Sequence, residues 1–200
     1  MKTAITITED YDITMIQAYV TAAARLITAF LLTLGPGMFP AVPLAKSQAA
    51  PITVKTPVSL RGINGISIGM TRQEAQAVSG QPLVGDGNSA CAYYTIPTVP
   101  GLAFMVTQGR IARIDILDNS PITTLSGAKI GDTESRIKAL YPGKIQVEPH
   151  KYDRQGHYLV FVPQDAVDKN YRLIFETNGN VVTRWRVGKL PEVAWVEGCS

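Results

Sequence analysis

The sequence contains few of the residues from which catalytic and nucleic-acid-binding sites are commonly built. Two of its 200 residues are cysteines, two are histidines, and the formal net charge is only +3. The lysines and arginines are scattered along the chain, whereas a nucleic-acid-binding surface needs them clustered. We therefore expect no nucleic acid among the partners of this protein.

Several motifs of catalytic and cofactor sites are also missing from the sequence. It has no phosphate-binding Gly-Lys-Ser/Thr loop and no Cys-x-x-Cys pair. Its carboxylates are dispersed, and their positions do not pair one acid with one base. The sequence therefore predicts a protein that is not an enzyme and holds no cofactor or metal.

No apolar run in the sequence reaches the roughly 20 residues of a membrane-spanning helix. The main run, 26–34, follows Arg25 and ends at Gly35-Pro36-Gly37. A cation, a short apolar core and small residues are typical of a secretory signal peptide. We expect 1–49 to be a leader cleaved after Ala49, and the mature protein to be periplasmic or secreted, without stable membrane insertion. An uncleaved anchor and a disordered tail are the alternatives.

Both cysteines, Cys91 and Cys199, lie in the expected mature part. An exported protein meets an oxidising compartment, so the sequence predicts a disulfide bond between them. Neither cysteine has a histidine or a second cysteine at ligand spacing, although a catalytic or metal-binding thiol remains an alternative. No cysteine directly follows the apolar run, where a lipoprotein would carry its lipid, so we expect no lipid anchor.

One stretch of the chain is echoed later, which predicts a duplicated unit. Gly65–Thr71 matches Gly127–Thr133 at both glycines, the isoleucine and the threonine, and 107–110 matches 177–180. The fold class predicted is α+β, with two tandem helix-plus-antiparallel-meander repeats. The predicted segments are a leader 1–49, an extended arm 50–62, repeat one 63–120, repeat two 121–188 and a C-terminal tail 189–200.

Local signals place the elements of each predicted repeat. Thr71 and Glu74 form a capping-box pattern, and Thr133 begins a second helix. Gln108-Gly109 and Asn178-Gly179 predict hairpin turns, with positive φ at both glycines. Strands are predicted at 91–96, 102–107, 111–117, 145–147, 158–162, 171–176 and 181–187.

The first predicted repeat resembles a known family. The residues that carry the likeness are Gly69-Met70-Thr71, Glu74, Gly80, Pro82, Tyr93-Tyr94 and the hairpin of 104–116. This set resembles the small outer-membrane lipoproteins of the β-barrel assembly machinery (the SmpA/OmlA type). The same module in tandem is similar to the secreted β-lactamase-inhibitory proteins. The resemblance implies the doubled α+β fold of that module.

Tyrosine, tryptophan and arginine carry most hot spots of protein interfaces. Strand alternation puts Arg184 and Arg186 on the face opposite Trp185, so we expect one of these two sets to be exposed. The alternative is that half of the aromatic residues belong to the core. The candidate binding residues are Tyr93, Arg113, Tyr152, Tyr158, Arg184, Trp185 and Arg186.

These observations favour an exported binding module that recognises an envelope or extracellular protein through a two-repeat sheet surface. Two alternatives stay open. The segment His150–His157 contains both histidines with Asp153 between them, which would suit a zinc site or a small hydrolase. The same segment could equally be a solvated loop. The other alternative is a structural protein of the cell envelope.

Overall fold

A computed structural model describes residues 50–85 and 90–199 of the chain, so the predicted leader lies outside the described residues. Its small sheet contains β1 (Val58–Ser59), β2 (Gly62–Ile63) and β3 (Ile66–Ser67). Its large sheet contains β4 (Cys91–Thr95), β5 (Leu102–Thr107), β6 (Arg110–Ile116), β7 (Ile145–Pro149), β8 (His157–Phe161), β9 (Tyr171–Thr177) and β10 (Val182–Lys189). The helices are α1 (Arg72–Ser79), α2 (Glu134–Leu140) and the 3-10 turns η1 (Ala166–Asp168) and η2 (Glu192–Ala194).

The seven strands of the large sheet are antiparallel and lie in the order β4-β5-β6-β10-β9-β8-β7. The central pair is β6 with β10, which brings together strands from the two halves of the chain. Trp185 lies opposite Ile116, and Val187 lies opposite Ile114. Because these two strands pair over four residue positions, one sheet runs through both halves.

The predicted fold class is therefore wrong. The described residues are mostly β, with one seven-stranded sheet and one three-stranded sheet, and do not form two α+β repeats of helix and meander. α1 has 8 residues and α2 has 7, which is about two turns each. Helices this short depend on packing against the sheet for their stability. The local patterns located elements well but did not show that β6 pairs with β10.

The helix starts follow the capping chemistry expected from the sequence. The backbone N–H of Glu74 donates to Thr71 Oγ1 at 3.2 Å, and Glu74 Oε2 accepts the Thr71 N–H at 2.7 Å. Thr133 Oγ1 accepts the N–H of Arg136 at 3.2 Å. Gly80 ends α1 with a φ of 65°, the left-handed conformation that favours glycine. These local predictions are confirmed.

The large sheet buries side chains on both faces, which we call the inner and the outer face. On the inner face, Phe175 and Trp185 pack in the main core with Ile137 of α2 and Ala75 of α1. The small sheet contributes its isoleucines to the same core. A second, smaller cluster on the outer face contains Tyr158, Val160, Ile174 and Val193. The C-terminal segment therefore covers part of the outer face.

Both hairpin glycines have the positive φ predicted for them, 74° at Gly109 and 86° at Gly179. Their surroundings differ. A Cβ built at Gly109 meets nothing within 4 Å, whereas one at Gly179 collides with the carbonyl oxygen of Gln155. Glycine is thus required at Gly109 by backbone conformation alone, and at Gly179 by conformation and by close approach.

Among residues 50–85 and 90–199, no helix is long and apolar enough to cross a membrane.

Candidate functional site

The C-terminal segment is attached to the outer face of the sheet by a disulfide bond. Cys91, at the start of β4, is bonded to Cys199, with 5.3 Å between their Cα atoms. Between this bond and β10, Val193 of η2 is fully buried against the outer-face cluster. The predicted disulfide is confirmed, and it fixes residues 190–199 as a cover over the strands below.

Arg113 binds the C-terminal segment through hydrogen bonds from the outer face of the sheet. Its Nη1 donates to the carbonyl oxygens of Glu192 at 3.1 Å and Trp195 at 2.7 Å. Its Nε donates to Asp115 Oδ2 at 2.8 Å and its Nη2 donates to the Tyr93 hydroxyl at 2.6 Å. The Arg113 residue is only 4% exposed. Its main role is therefore to anchor the C-terminal segment.

Glu176 is the carboxylate on which the neighbouring side chains converge. Arg184 Nε donates to Oε1 at 2.9 Å, and Arg186 Nη1 donates to Oε2 at 3.2 Å. Arg186 also donates from Nε to the carbonyl oxygen of Val193 at 2.8 Å. Glu176 and Arg186 are both buried, whereas 56% of the Arg184 side chain is exposed.

His150 supplies a further hydrogen bond to Glu176. Its Nδ1 accepts the backbone N–H groups of Tyr152 and Asp153, at 3.1 and 2.9 Å. A nitrogen that accepts hydrogen bonds carries no proton, so in the neutral ring the proton lies on Nε2 and is donated to Glu176 at 3.0 Å. The ring also stacks on Tyr158, with 4.7 Å between centroids. His150 therefore positions Glu176.

A cleft of about 230 Å³ opens between this cluster and the C-terminal segment. We call it the arginine cleft. It is lined by Tyr93, Arg113, Asp115, Leu117, Glu176, Arg184, Arg186, Val196, Glu197 and Gly198. Within the described residues, Nη2 of Arg186 and both terminal nitrogens of Arg184 have no hydrogen-bond partner. The cleft thus has guanidinium donors available for a ligand.

The formal charges of the residues that line the cleft are balanced. Its lining includes three arginines and three acidic residues, and one of the latter, Glu197, is already bound to Lys151 at 2.7 Å. Burial raises the pKa of Asp115, although Arg113 opposes this. Burial also acts to raise the pKa of Glu176, but His150 and the two nearby arginines outweigh it and lower that pKa. Lys151, which pairs with Glu197 from outside the lining, adds one cation beside the cleft.

The structure brings five of the seven candidate binding residues to this region. Tyr93, Arg113, Arg184 and Arg186 line the cleft, and Tyr158 packs beneath Arg186 with 5.6 Å from its ring centroid to the guanidinium carbon.

The other two candidates lie apart from the cleft lining. Tyr152 is 64% exposed on the neighbouring loop. Trp185 is 1% exposed and faces the inner core, so it is not a surface residue. Strand alternation does separate Trp185 from the arginines, but it did not predict that Arg186 is buried too.

Three residues of the site were missed by the sequence reasoning. Arg113 and Asp115 share one face of β6, as strand alternation requires. Alternation could not show that this face continues through β10 to Glu176 on β9. Trp195, 39% exposed, comes to the cleft region only because the disulfide returns the C-terminal segment to the sheet.

The two histidines of the proposed zinc or hydrolase loop have separate partners. His157 Nδ1 bonds to Glu134 Oε1 at 2.8 Å, whereas His150 bonds to Glu176. Across the described part of the chain, no group of three or more potential ligands could hold a metal ion. The geometry gives the metal-site alternative no support.

One motif with catalytic spacing escaped the sequence reasoning. Gly65-Ile66-Ser67-Ile68-Gly69 has the Gly-x-Ser-x-Gly spacing of hydrolase nucleophiles. Ser67 is exposed at the end of β3, and its backbone N–H contacts Met70 Sδ at 3.3 Å. A serine nucleophile needs a base within hydrogen-bond reach. Among the described residues, neither histidine is hydrogen-bonded to the Ser67 hydroxyl, since His150 bonds to Glu176 and His157 bonds to Glu134.

No family model and no curated protein matches the chain. Among solved structures, it is similar to the uncharacterized protein yfeY from Escherichia coli, at 17% identity and a TM-score of 0.44, over 67% of this chain and 99% of the other. It is also similar to an extracellular protein containing an SCP domain from Bacillus anthracis, at 9% identity and a TM-score of 0.39, over 62% of this chain and 44% of the other. A third similar structure is a cysteine-rich secretory protein from Staphylococcus aureus, at 10% identity and a TM-score of 0.41, over 76% of this chain and 54% of the other. At TM-scores below 0.5, these likenesses carry no argument about function.

Proposed function

We propose that the protein is an exported binding protein that recognises another protein of the cell envelope or extracellular space. The Cys91–Cys199 bond supports export, because disulfides persist in oxidising compartments. The leader-like pattern of 1–49 supports it from the sequence. The resemblance to the assembly lipoproteins and the inhibitory proteins stays a prediction.

The observation that carries the proposal is the arginine cleft with its available N–H donors. Arg184 and Arg186 each use one guanidinium nitrogen on Glu176, and Arg186 uses a second on the Val193 carbonyl oxygen. Within the described chain, Nη2 of Arg186 and both terminal nitrogens of Arg184 have no hydrogen-bond partner. Arginine binds carboxylates through two parallel hydrogen bonds, which gives both strength and orientation. The cleft therefore suits a carboxylate of the partner, such as an aspartate or glutamate side chain.

Exposed aromatic residues close to the cleft would add contact area. Trp195 is 39% exposed and Tyr152 is 64% exposed. The ion pair of Lys151 with Glu197 joins the loop of Tyr152 to the segment of Trp195. Aromatic residues with arginine are the composition in which interface hot spots are enriched. The partner would dock on these side chains and place its carboxylate between the arginines.

The test uses two matched arginine variants. Arg184 pairs with buried Glu176 at 2.9 Å and is 56% exposed, and Arg136 on α2 pairs with buried Asp132 at 3.0 Å and is 54% exposed. Each variant, Arg184→Ala and Arg136→Ala, is used to capture a partner from an envelope extract. The dissociation constant of the captured protein is then measured. Arg184→Ala should weaken binding by about 2 kcal/mol, roughly 30-fold, as expected of a hot-spot residue.

Arg136→Ala should leave the same dissociation constant unchanged, because α2 lies on the inner side of the sheet. Equal effects of the two variants would contradict the proposal, as would binding that survives Arg184→Glu. A protein that fractionates with the envelope but captures no partner would favour the structural role instead.

A further inference from the structure

A second cavity, of about 200 Å³, lies on the inner side of the large sheet. It is bounded by β1, by the segment 124–126 and by strands β8, β9 and β10. Three aromatic side chains, Tyr141, Phe161 and Trp185, form part of its wall. Since Trp185 faces away from Arg184 and Arg186, this cavity is separate from the arginine cleft.

The walls of this cavity offer little to a water molecule. Thr124 Oγ1 and Tyr141 Oη are hydrogen-bonded to each other at 2.8 Å, and Thr124 Oγ1 also accepts the Ala128 N–H at 3.1 Å. The Trp185 indole N–H is buried and has no hydrogen-bond partner among the described residues. Ser59 Oγ donates to the Gly62 carbonyl oxygen at 2.9 Å, and Ser126 lies exposed at the rim. A buried water needs two to four polar partners, and the Trp185 N–H alone does not supply them.

The size and composition of the cavity indicate its ligand. An apolar cavity of about 150 Å³ stays dry and binds benzene, so the larger space here has room for one or two fused rings. Aromatic rings attract one another edge to face at centroid distances of about 4.5–7 Å. Tyr141 and Phe161 already pack within this distance range in a tilted arrangement, at 5.1 Å and 55°. A ring entering the cavity would meet the same kind of contact.

The cavity has an apolar entrance. Leu125 lines it and is 70% exposed, and the neighbouring Ser126 is exposed too. The Leu125 N–H donates to the carbonyl oxygen of Val58 at 3.0 Å, which attaches this segment to β1. A large apolar side chain left in water at the entrance of an apolar space is suited to receive an apolar molecule.

We propose that this cavity binds a small aromatic molecule of one or two fused rings, with Trp185 as one of its walls. Entry takes place beside Leu125 and Ser126. The site is independent of the arginine cleft and of the partner proposed for it.

The two tryptophans allow a direct test. Trp185 lines the cavity, and Trp195 lies on the outer face as an internal control. The indole N–H signals of the ¹⁵N-labelled protein are assigned with Trp195→Phe, and benzyl alcohol is titrated as the probe. The Trp185 signal should shift saturably while the Trp195 signal stays in place. Cyclohexylmethanol, its saturated counterpart, should bind about threefold more weakly or worse, because it lacks the aromatic contact.

Two variants complete the experiment. Ser126→Phe places a ring at the entrance and should abolish the saturable shift, whereas Arg184→Ala on the outer face should leave it unchanged. If Ser126→Phe does not fold, the contrast between the two tryptophan signals in the unmodified protein still shows whether the probe enters the cavity. A shift of the Trp195 signal alone, no saturable shift of Trp185, or equal binding of both probes would overturn the proposal.

Discussion

The bond between Cys91 and Cys199 should carry a large share of the stability of this protein. It closes a loop with a sequence separation of 108 residues. In the chain-entropy model a cross-link of this length stabilises the folded state by about 4.7 kcal/mol at 25 °C. Since domains commonly unfold with about 5–15 kcal/mol, Cys199→Ser should remove about a third or more of the free energy of unfolding.

The contacts of the C-terminal segment determine what remains after the bond is lost. Arg113 and Arg186 would still donate to its backbone carbonyls, and Val193 would still be buried on the outer face. The segment would then be held by these contacts without its terminal attachment. We therefore expect Cys199→Ser to fold, with faster amide exchange in 192–199 than in the wild-type protein.

Urea unfolding at pH 7 measures the loss. Cys91→Ser, Cys199→Ser and the double variant should lose the same free energy, because each removes the same single bond. A reductant should bring the wild-type protein to this lower value and leave the double variant unchanged. A loss no larger than about 0.5 kcal/mol, which is typical of surface substitutions, would refute the reasoning. So would a double-variant loss equal to the sum of the two single-variant losses.

Three further predictions concern stability. Gly109→Ala should cost about 1 kcal/mol through its positive φ, and Gly179→Ala about 3 kcal/mol because the added Cβ also collides with backbone; equal shifts in melting temperature would contradict this. In urea unfolding, Trp185→Ala should cost about 3–5 kcal/mol as a buried aromatic, and Arg184→Ala about 1 kcal/mol or less as an exposed partner. The pKa of Glu176 is lower in the folded protein than its unfolded value of about 4.3. The stability that this provides is fully present above the unfolded pKa and is lost as the pH falls through the folded pKa. Glu176→Gln should flatten this loss in a plot of melting temperature against pH.

The parts of the site that sequence could predict depend on near neighbours in the chain. Arg113 and Asp115 alternate on one strand, so their shared face follows from the strand period. The helix start at Thr71 follows from a hydrogen bond to a residue three positions on. The meeting of Glu176 with His150 could not be predicted in this way, because it joins β9 to a loop 26 residues away.

By itself, the sequence determined the positions of the main strands, the two helix starts, the hairpin glycines and the pairing of its two cysteines, since each depends on local backbone chemistry or on there being a single possible pair. Only the tertiary structure decided that β6 pairs with β10, which makes one sheet of strands expected in two repeats. The same pairing gives Trp185 to the inner core and Arg186 to the outer face beneath the C-terminal segment. The physical reason is that alternation separates two faces of a strand but does not say what will cover each of them.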